Sequence, residues 1–325
     1  MCTSIAMRND SLYFGRNMDI ACSFGEHVVI TPRNYPFRFR FAGTLDSHYA
    51  IIGMASIAEN YPLYAEAANE TGLCIAGLNF PDNACYSDKE SPDKFNIAVF
   101  ELIPWILGKC SCVSEAVALL EKTNVTFHPF SREIQPASLH WHIADKNRSV
   151  VLEIMKDGMH IYDNPADVLT NNPPFDFHMT NLSQYANLTV TVPENKLCRQ
   201  TGAVPFGKGF GSHGLPGDFS PASRFVKSAY LLANSVSGND ESENISQFFH
   251  LLESVAVVNG SIEVHSDLPY YTTYSCCVNA DKGTYYFRTY WNSRISSVSM
   301  TEENITGTDL IIYPIRQTQD IDRLN

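Results

Sequence analysis

The first twenty residues predict a β-hairpin whose first strand begins at residue 2. Polar and apolar residues alternate in CTSIAM, residues 2–7, and strand-forming residues return in LYFGRN, residues 12–17. The four residues between them, RNDS, have the composition of a tight turn. Strands joined by so short a turn pair in antiparallel order. The pattern therefore predicts an antiparallel sheet with Cys2 at the first position of a strand.

Further hairpin signals lie in the middle and near the end of the chain. Turns KNRS and KDG separate three strand-like segments within residues 138–164, and residues 270–291 predict a long aromatic hairpin that RISSVSM extends. Helical patterns lie between these groups. They cover residues 111–125 with Ser111 as a candidate cap, residues 220–235 with Ser220 as the cap and Pro221 at the first helical position, and residues 245–255. This arrangement predicts α+β antiparallel sheets with helix layers outside, in one domain over residues 1–325.

Charge and cysteine content limit the function and the compartment. The net charge of -12 and the pI near 5.2 argue against a nucleic-acid partner, which calls for a basic surface. No apolar run approaches the ~20 residues of a membrane-spanning helix, and the first residues resemble no signal peptide. The nine cysteines are odd in number and form no disulfide pattern. We therefore expect a cytoplasmic protein with free thiols, no membrane partner, no cofactor and no metal.

Cys2 becomes chemically unusual if Met1 is removed. The same residue then carries a thiol, with an ordinary pKa of about 8.5, and an α-amine, with an ordinary pKa of about 7.7–8.0. An unprotonated amine can accept the thiol proton, so one residue supplies nucleophile and base. From Cys2 alone, a packed strand residue remains the simpler interpretation. The second strand changes this balance, because FGRNMD brings Arg16 and Asp19 beside Cys2.

Five motifs extend in order from residue 2 to about residue 225: MCT at the start, FGRNMD, GLNFP, LTNNPPFDFH and GLPGDFSPASRF. Together they resemble the choloylglycine hydrolase family, which contains bile salt hydrolases and penicillin V acylases. The resemblance implies an N-terminal-nucleophile hydrolase with an αββα sandwich, processed by removal of Met1 and assembled as a homotetramer. It also implies hydrolysis of an amide bond through a thioester on Cys2.

The family's functional residues match positions of this sequence one by one. Cys2 matches the nucleophile, Arg16 the arginine beside the thiol, and Asp19 the acid that orients the α-amine. Asn79 in GLNF and Asn171 in TNNP match the oxyanion-hole residues. In TNNP, the family pattern T-N-x-P selects Asn171 over its neighbour.

Arg224 in SRF matches the second arginine of the family's active site. With Arg16, it is expected to support negative charge around the thiol and the reacting carbonyl. Amide hydrolysis passes through a tetrahedral oxyanion, and losing one donor to that oxyanion typically costs about 10²–10³ in rate.

Three other motifs are weak indications of function. GFGSHG fits a dinucleotide-binding pattern, but no strand–helix–strand unit surrounds it. His140 and His142 share a strand face, but further zinc ligands are not evident in the sequence. A papain-type cysteine–histidine pair has no local signature.

The resemblance favours conjugated bile salts as substrate, because Asn79 stands where penicillin V acylases tend to have tyrosine. Loops 20–26, 58–63 and 128–138 are expected to surround a broad apolar pocket. A penicillin V acylase or other N-acyl amide hydrolase remains an alternative, as does a non-enzymatic binding protein of this fold. The candidate pocket residues, each of which could instead be ordinary core or surface, are Phe24, Tyr61, Phe127, Phe130 and Ile134.

Overall fold

The computed structural model of the chain describes residues 1–195, 197, 199–264 and 268–325. Its strands, in chain order, are β1 Cys2–Arg8, β2 Leu12–Ile20, β3 His27–Thr31, β4 Phe37–Phe39, β5 Gly43–Leu45, β6 Ile51–Ala58, β7 Tyr61–Asn69, β8 Cys74–Asn79, β9 Phe95–Ala98, β10 Thr123–Thr126, β11 Leu139–Ala144, β12 Ser149–Met155, β13 Gly158–Asp163, β14 Val168–Leu169, β15 Ile262–Val264, β16 Leu268–Asn279, β17 Thr284–Thr289, β18 Asn292–Ser299 and β19 Ile311–Pro314. The α-helices are α1 Leu102–Lys109, α2 Val113–Leu120, α3 Phe175–Leu182, α4 Pro221–Asn234 and α5 Glu241–Glu253.

Two large antiparallel sheets form the centre of the molecule. The first runs in the order β14–β1–β2–β16–β17–β18, with β15 paired to β16. The second runs in the order β13–β12–β11–β8–β7–β6–β3–β19. Strands β1 and β2 contact β8, so the two sheets lie face to face.

Helices cover the outer face of each sheet. Helices α4 and α5 pack on strands of the first sheet, and α1 packs on β6, β7 and β8 of the second. One apolar core joins both sheets to α4 and α5, and a second lies between the second sheet and the helices α1 and α2. The architecture is the αββα sandwich that the resemblance implies.

The hairpin β1–β2 forms as its sequence predicts. Cys2 pairs with Met18 and Ser4 with Arg16, so the first strand lies in the interior of its sheet. Gly15 allows β2 to approach β16 closely, because a Cβ at this position would lie 1.9 Å from the carbonyl oxygen of Cys276. This is the physical reason for a glycine in the FGRN motif.

Two helix starts show where the sequence prediction was right and where it was wrong. Ser220 caps α4, accepting a hydrogen bond from the backbone nitrogen of Ser223, and Pro221 takes the first helical position. Ser111 does not cap α2: Cys112 holds that position without a side-chain hydrogen bond. The hydroxyl of Ser111 lies 2.8 Å from Oε2 of Glu115 instead.

Within the described part of the chain, no helix combines the length and the apolar character needed to cross a membrane.

Candidate active site

Cys2 lines a cavity of about 420 Å³ whose walls include residues of both sheets. The residue is 3% exposed, and its sulfur lies 4.0 Å from the sulfur of Met18 on the paired strand. The backbone nitrogen of Cys2 donates a hydrogen bond of 2.8 Å to Oδ1 of Asn171. The hydrogen bond to Asn171 and the pairing with Met18 therefore fix the first residue of β1 at the wall of this cavity.

Met1 extends the hairpin by one residue. Its ammonium group donates a 2.6 Å hydrogen bond to the backbone oxygen of Asp19, and its carbonyl accepts one of 3.0 Å from the Asp19 nitrogen. Met1 also lines the cavity. With Met1 in place, the nitrogen of Cys2 is an amide and cannot act as a base.

Arg16 is fully buried beside Cys2 and also lines the cavity. Its Nη1 donates to the carbonyl oxygen of Gly77 at 2.5 Å and lies 3.6 Å from Oε2 of Glu66. Its Nη2 has no hydrogen-bond partner among the residues that the structure describes. Burial alone lowers the pKa of Arg16, but the negative charges of the Cys2 thiolate and Glu66 raise it above its ordinary value. A charged guanidinium is thus available at the cavity.

Asp19 lies near the end of β2 and is also fully buried. Its Oδ1 accepts a 2.6 Å hydrogen bond from the hydroxyl of Thr272, and Oδ2 has no partner within the described residues. Burial raises the pKa of Asp19, while Arg224 and the Thr272 hydrogen bond oppose that shift. The carboxyl therefore retains an acceptor position for a further donor.

Asn171 connects Cys2 to the second sheet. Its Nδ2 donates a 2.7 Å hydrogen bond to the backbone oxygen of Asn79, the last residue of β8, and the amide carries a second N–H. The side chain of Asn79 is exposed and lines the cavity. Asn172 points elsewhere and donates to the carbonyl of Pro81. Of the two adjacent asparagines, Asn171 is thus the one that contacts Cys2.

Arg224 extends from α4 to the main chain of Cys2 rather than to its thiol. Its Nη1 donates to the carbonyl oxygen of Cys2 and, at 2.6 Å, to the hydroxyl of Thr3. Its Nη2 donates to Oδ1 of Asn171 at 2.8 Å. Burial lowers the pKa of Arg224, against the attraction of Asp19 and Cys2. This arginine therefore fixes the backbone around the thiol.

The walls of the cavity above Cys2 are mainly apolar. Of the residues expected at the pocket, Phe24, Phe130 and Ile134 line it. Each of the three expected segments contributes, but Ile20 and Leu63, which border the same space, lie in strands β2 and β7 rather than in loops. Other members of the wall are Tyr64, Ala65, Val99, Phe100, Pro136, Ala137, Leu139 and Tyr270.

Tyr61 and Phe127 were expected at the pocket but lie outside the lining of this cavity. Tyr61 is buried one layer behind it, with its ring centroid 5.7 Å from that of Phe100 and 5.9 Å from that of Phe130. Phe127 directly follows β10, where its side chain is 49% exposed. A substrate in this cavity would meet the rings in front of Tyr61 and would not reach Phe127.

Two neighbours of the site were missed from the sequence. Glu66, on strand β7, lies beside Arg16 and accepts hydrogen bonds from the hydroxyls of Tyr274 and Tyr285. The sequence pattern did not predict strand β7. A single carboxylate in the apolar segment YPLYAEAAN was the available signal. Thr272 had none, because its contact with Asp19 depends on pairing across 253 residues.

Together these groups can perform nucleophilic chemistry on a neutral carbonyl compound. A thiol faces an apolar cavity, a buried guanidinium supplies positive charge, and an amide supplies N–H donors. Such fixed donors favour reactions in which negative charge develops on oxygen.

Comparisons with known proteins agree with this arrangement. The model of linear amide C–N hydrolases of the choloylglycine hydrolase family matches residues 2–313. The chain is similar to a bile salt hydrolase/transferase of Lactiplantibacillus plantarum, at 48% identity over 97% of both chains. A bile salt hydrolase/transferase of Clostridium perfringens is 40% identical over 100% of both chains.

Solved structures give the same result. A crystal structure of a mutant conjugated bile acid hydrolase from Clostridium perfringens matches with a TM-score of 0.93, at 38% identity and full coverage of both chains. A penicillin V acylase from Agrobacterium tumefaciens, at 18% identity and a TM-score of 0.74 over 94% of this chain and 88% of its own, shares the fold. The match to the family model and these identities over nearly the whole length establish that the chain belongs to the choloylglycine hydrolase family of linear amide C–N hydrolases.

Proposed function

We propose that the protein hydrolyses the amide bond of glycine- or taurine-conjugated bile salts, releasing the free bile acid and the amino acid. The observation that carries the proposal is that Cys2 lines an apolar cavity together with buried Arg16, whose Nη2 has no hydrogen-bond partner in the described part of the chain. The substrate class is supported by the relatives, which are named bile salt hydrolase/transferase or conjugated bile acid hydrolase. A steroid is large and apolar, which suits these walls.

Activation begins with removal of Met1. The nitrogen of Cys2 then becomes an α-amine, already within hydrogen-bond distance of Oδ1 of Asn171. Removal also withdraws the ammonium of Met1 from the backbone oxygen of Asp19. We assign Asp19 the role of holding the new ammonium group, since one of its buried carboxylate oxygens lacks a partner among the described residues.

Acylation follows from these positions. The α-amine accepts the thiol proton, and the sulfur attacks the amide carbon to form a tetrahedral intermediate with negative charge on oxygen. The C–N bond then breaks, and the leaving glycine or taurine nitrogen takes the proton from the α-ammonium. The bile acid remains as a thioester on Cys2. Water, deprotonated by the same amine, attacks the thioester carbon and releases the acid and the thiol.

Three groups are assigned to the charged states of this cycle. The second N–H of the Asn171 amide and an N–H of Asn79 would donate to the oxyanion. Arg16 would stabilise the thiolate of Cys2. Arg224 keeps the Cys2 carbonyl and the Asn171 amide in one arrangement. Its role is therefore to maintain geometry next to the reacting atoms.

A side-by-side assay on purified protein tests the substrate. Amino-acid release from taurocholate and glycocholate is compared with release of 6-aminopenicillanic acid from penicillin V. Faster turnover of the bile salts supports the proposal. Dominant penicillin turnover would retain the mechanism and overturn the substrate, and no turnover by protein of verified mass lacking Met1 would overturn the enzyme proposal.

Three further properties belong to the proposal. Residues 1–325 act as one domain, since β1 and β2 of the first sheet and β7 and β8 of the second border one cavity. A cytoplasmic location is supported by the free thiols of the described cysteines. A homotetramer rests on the family resemblance, and light scattering during size-exclusion chromatography tests it.

A further inference from the structure

The histidines of the sequence HWH are fully buried on β11 and take no part in the proposed reaction. His142 lies within hydrogen-bond distance of two hydroxyls, those of Ser4 at 3.0 Å and Ser149 at 2.7 Å. His140 instead faces the segment that carries Asn171. The two rings therefore have different surroundings despite sharing a strand face.

Both ring nitrogens of His140 face acceptors. Nε2 lies 3.1 Å from the carbonyl oxygen of Thr170, and Nδ1 lies 3.0 Å from Oε1 of Glu153. A carbonyl oxygen only accepts, so Nε2 carries a hydrogen. The second bond then needs one proton shared between His140 and Glu153, whichever of the two holds it. The pair has no net charge in either form, which makes its complete burial tolerable.

A second buried imidazole contacts the next peptide. Nε2 of His178, on α3, lies 2.8 Å from the carbonyl oxygen of Asn171 and must donate to it. Burial lowers the pKa of His178 to about 4, against the effect of this hydrogen bond, so the ring is neutral near pH 7. The ring of Phe225 stacks on it with centroids 4.8 Å apart. Its orientation is thus fixed from one side.

The two contacts act on successive carbonyl groups. His140 holds the oxygen of Thr170, and His178 holds the oxygen of Asn171. Between them, the Asn171 side chain contacts the Cys2 nitrogen, Arg224 and the oxygen of Asn79. The Thr170 side chain adds a 3.0 Å bond to the carbonyl of Pro221. The main chain on both sides of the Asn171 side chain is therefore fixed by donors that do not line the cavity.

We propose that His178, together with the buried pair His140–Glu153, positions Asn171 for the reaction at Cys2. The inference rests on the proposed function, because it assigns positioning residues to that same site. A displacement of about 1 Å at a reacting group can lower a rate by about 10²-fold. Loss of either carbonyl contact is therefore expected to lower kcat while leaving the apolar cavity, and hence KM, nearly unchanged.

The first test compares two variants of His178. His178→Phe keeps a flat ring against Phe225 but removes the donor, and His178→Gln keeps an amide N–H at about the reach of Nε2. We expect His178→Phe to lower kcat for taurocholate by about 10–100-fold with KM within about threefold. We expect His178→Gln to restore most of kcat. A role in packing alone predicts the opposite order, because Phe fills the apolar space better than Gln.

A second variant acts on the preceding carbonyl group, that of Thr170. Glu153→Gln has nearly the same shape, but it can no longer share a proton with His140. Oε1 of Glu153 also accepts a 3.0 Å hydrogen bond from the backbone nitrogen of Phe175, so the amide of the variant must keep its oxygen at this place. That oxygen draws the single ring hydrogen of a neutral His140 to Nδ1 and leaves none on Nε2 for Thr170, so kcat is expected to fall about tenfold or more. His48→Gln is the matched control: His48 is buried, lies between the carbonyls of Tyr35 and Tyr49, and belongs to no part of the site. It should leave kcat within about twofold.

A measurement that needs no substrate tests the positioning of Asn171 separately from the proposed bile salt substrate. The rate of Cys2 alkylation by iodoacetamide at pH 7 is expected to fall several-fold in His178→Phe and to recover in His178→Gln. If wild type fails to turn over bile salts, this order still decides the inference. Equal alkylation rates in wild type and in whichever of His178→Phe and Glu153→Gln folds by circular dichroism would overturn it, whether or not the bile salts are turned over.

Discussion

The backbone nitrogen of Cys2 donates to Oδ1 of Asn171 over 2.8 Å, although 169 residues separate the two in the chain. Asn171 follows β14 closely, and β14 pairs with β1, so the first sheet itself brings the two together. The same side chain reaches Asn79 on the second sheet. One amide thus links the start of the chain to both sheets.

Asn171→Ala is expected to lower kcat about 10²–10³-fold, because it removes both an oxyanion donor and the acceptor for the Cys2 nitrogen. Asn172→Ala is the matched control, since that side chain donates to the carbonyl of Pro81 and not to Cys2. It should retain kcat within a few-fold. Steady-state kinetics on taurocholate measures both, and a comparable loss in the two variants would contradict the assignment of Asn171.

Cys2→Ala is expected to abolish turnover and leave the fold intact. The substitution removes the nucleophile but only one buried heavy atom, so the free energy of unfolding should change by about 1 kcal/mol. Activity assays and urea unfolding measure the two effects. Cys22→Ala is the control, because Cys22 is exposed and should be replaceable without effect. Substantial residual activity in Cys2→Ala would show that another group attacks the substrate.

Retention of Met1 is expected to silence the enzyme. The Cys2 nitrogen is then an amide, and Met1 occupies part of the cavity lining. A fusion that a protease cuts directly before Cys2 gives a direct measurement: turnover should appear only with cleavage, and intact mass should follow the same time course. Full activity in protein whose mass includes Met1 would refute the role of the α-amine.

Strands with clear alternation and tight turns were predictable from local sequence. The hairpin β1–β2, the meander β11–β13 and the aromatic strands β16–β18 all form where the pattern placed them. Strand β7 was missed, because Pro62 interrupts its start and small alanines replace the β-branched residues that mark strands. The cap of α2 was missed by one residue, since Ser111 finds a nearer partner in Glu115.

The candidate site was visible in short motifs, but its supporting contacts were not. Arg16 and Asp19 follow Cys2 on one hairpin, so a local pattern suffices to place them together. The contact of Thr272 with Asp19 arises from strand pairing between distant segments. Tyr61 shows the same limit for the pocket: an aromatic residue beside a cavity-forming loop can face the cavity or the layer behind it, and sequence alone does not separate these cases.

Phe130→Ala is expected to raise KM for taurocholate about tenfold with little change in kcat. Phe130 lines the cavity, and burying one phenyl ring against an apolar ligand contributes about 1.5–3 kcal/mol. Phe127→Ala is the control on the same loop, because that ring is half exposed and lies outside the lining. Steady-state kinetics measures KM and kcat for both variants, and Phe127→Ala should leave both nearly unchanged. A larger effect from Phe127 would mean that the loop closes over the substrate differently.

Acidification is expected to destabilise the protein through His142. Burial, followed by the charge of Arg8, lowers the pKa of this histidine to about 3, whereas an unfolded histidine titrates near 6.5. Between pH 3 and pH 6.5 the unfolded chain therefore binds a proton at His142, whereas the folded protein does not. The contribution of neutral His142 to the free energy of unfolding is present above about pH 6.5 and is lost as the pH falls.

For this one residue, the free energy of unfolding should drop by about 2 kcal/mol between pH 7 and pH 5. Buried acids such as Asp19, whose pKa is raised, change stability in the opposite sense. The measurement is therefore a comparison: urea unfolding of wild type and His142→Gln at both pH values. The variant should lose about 2 kcal/mol less than wild type on acidification, because glutamine takes up no proton. Equal losses in the two proteins would mean that folded His142 titrates like an unfolded histidine.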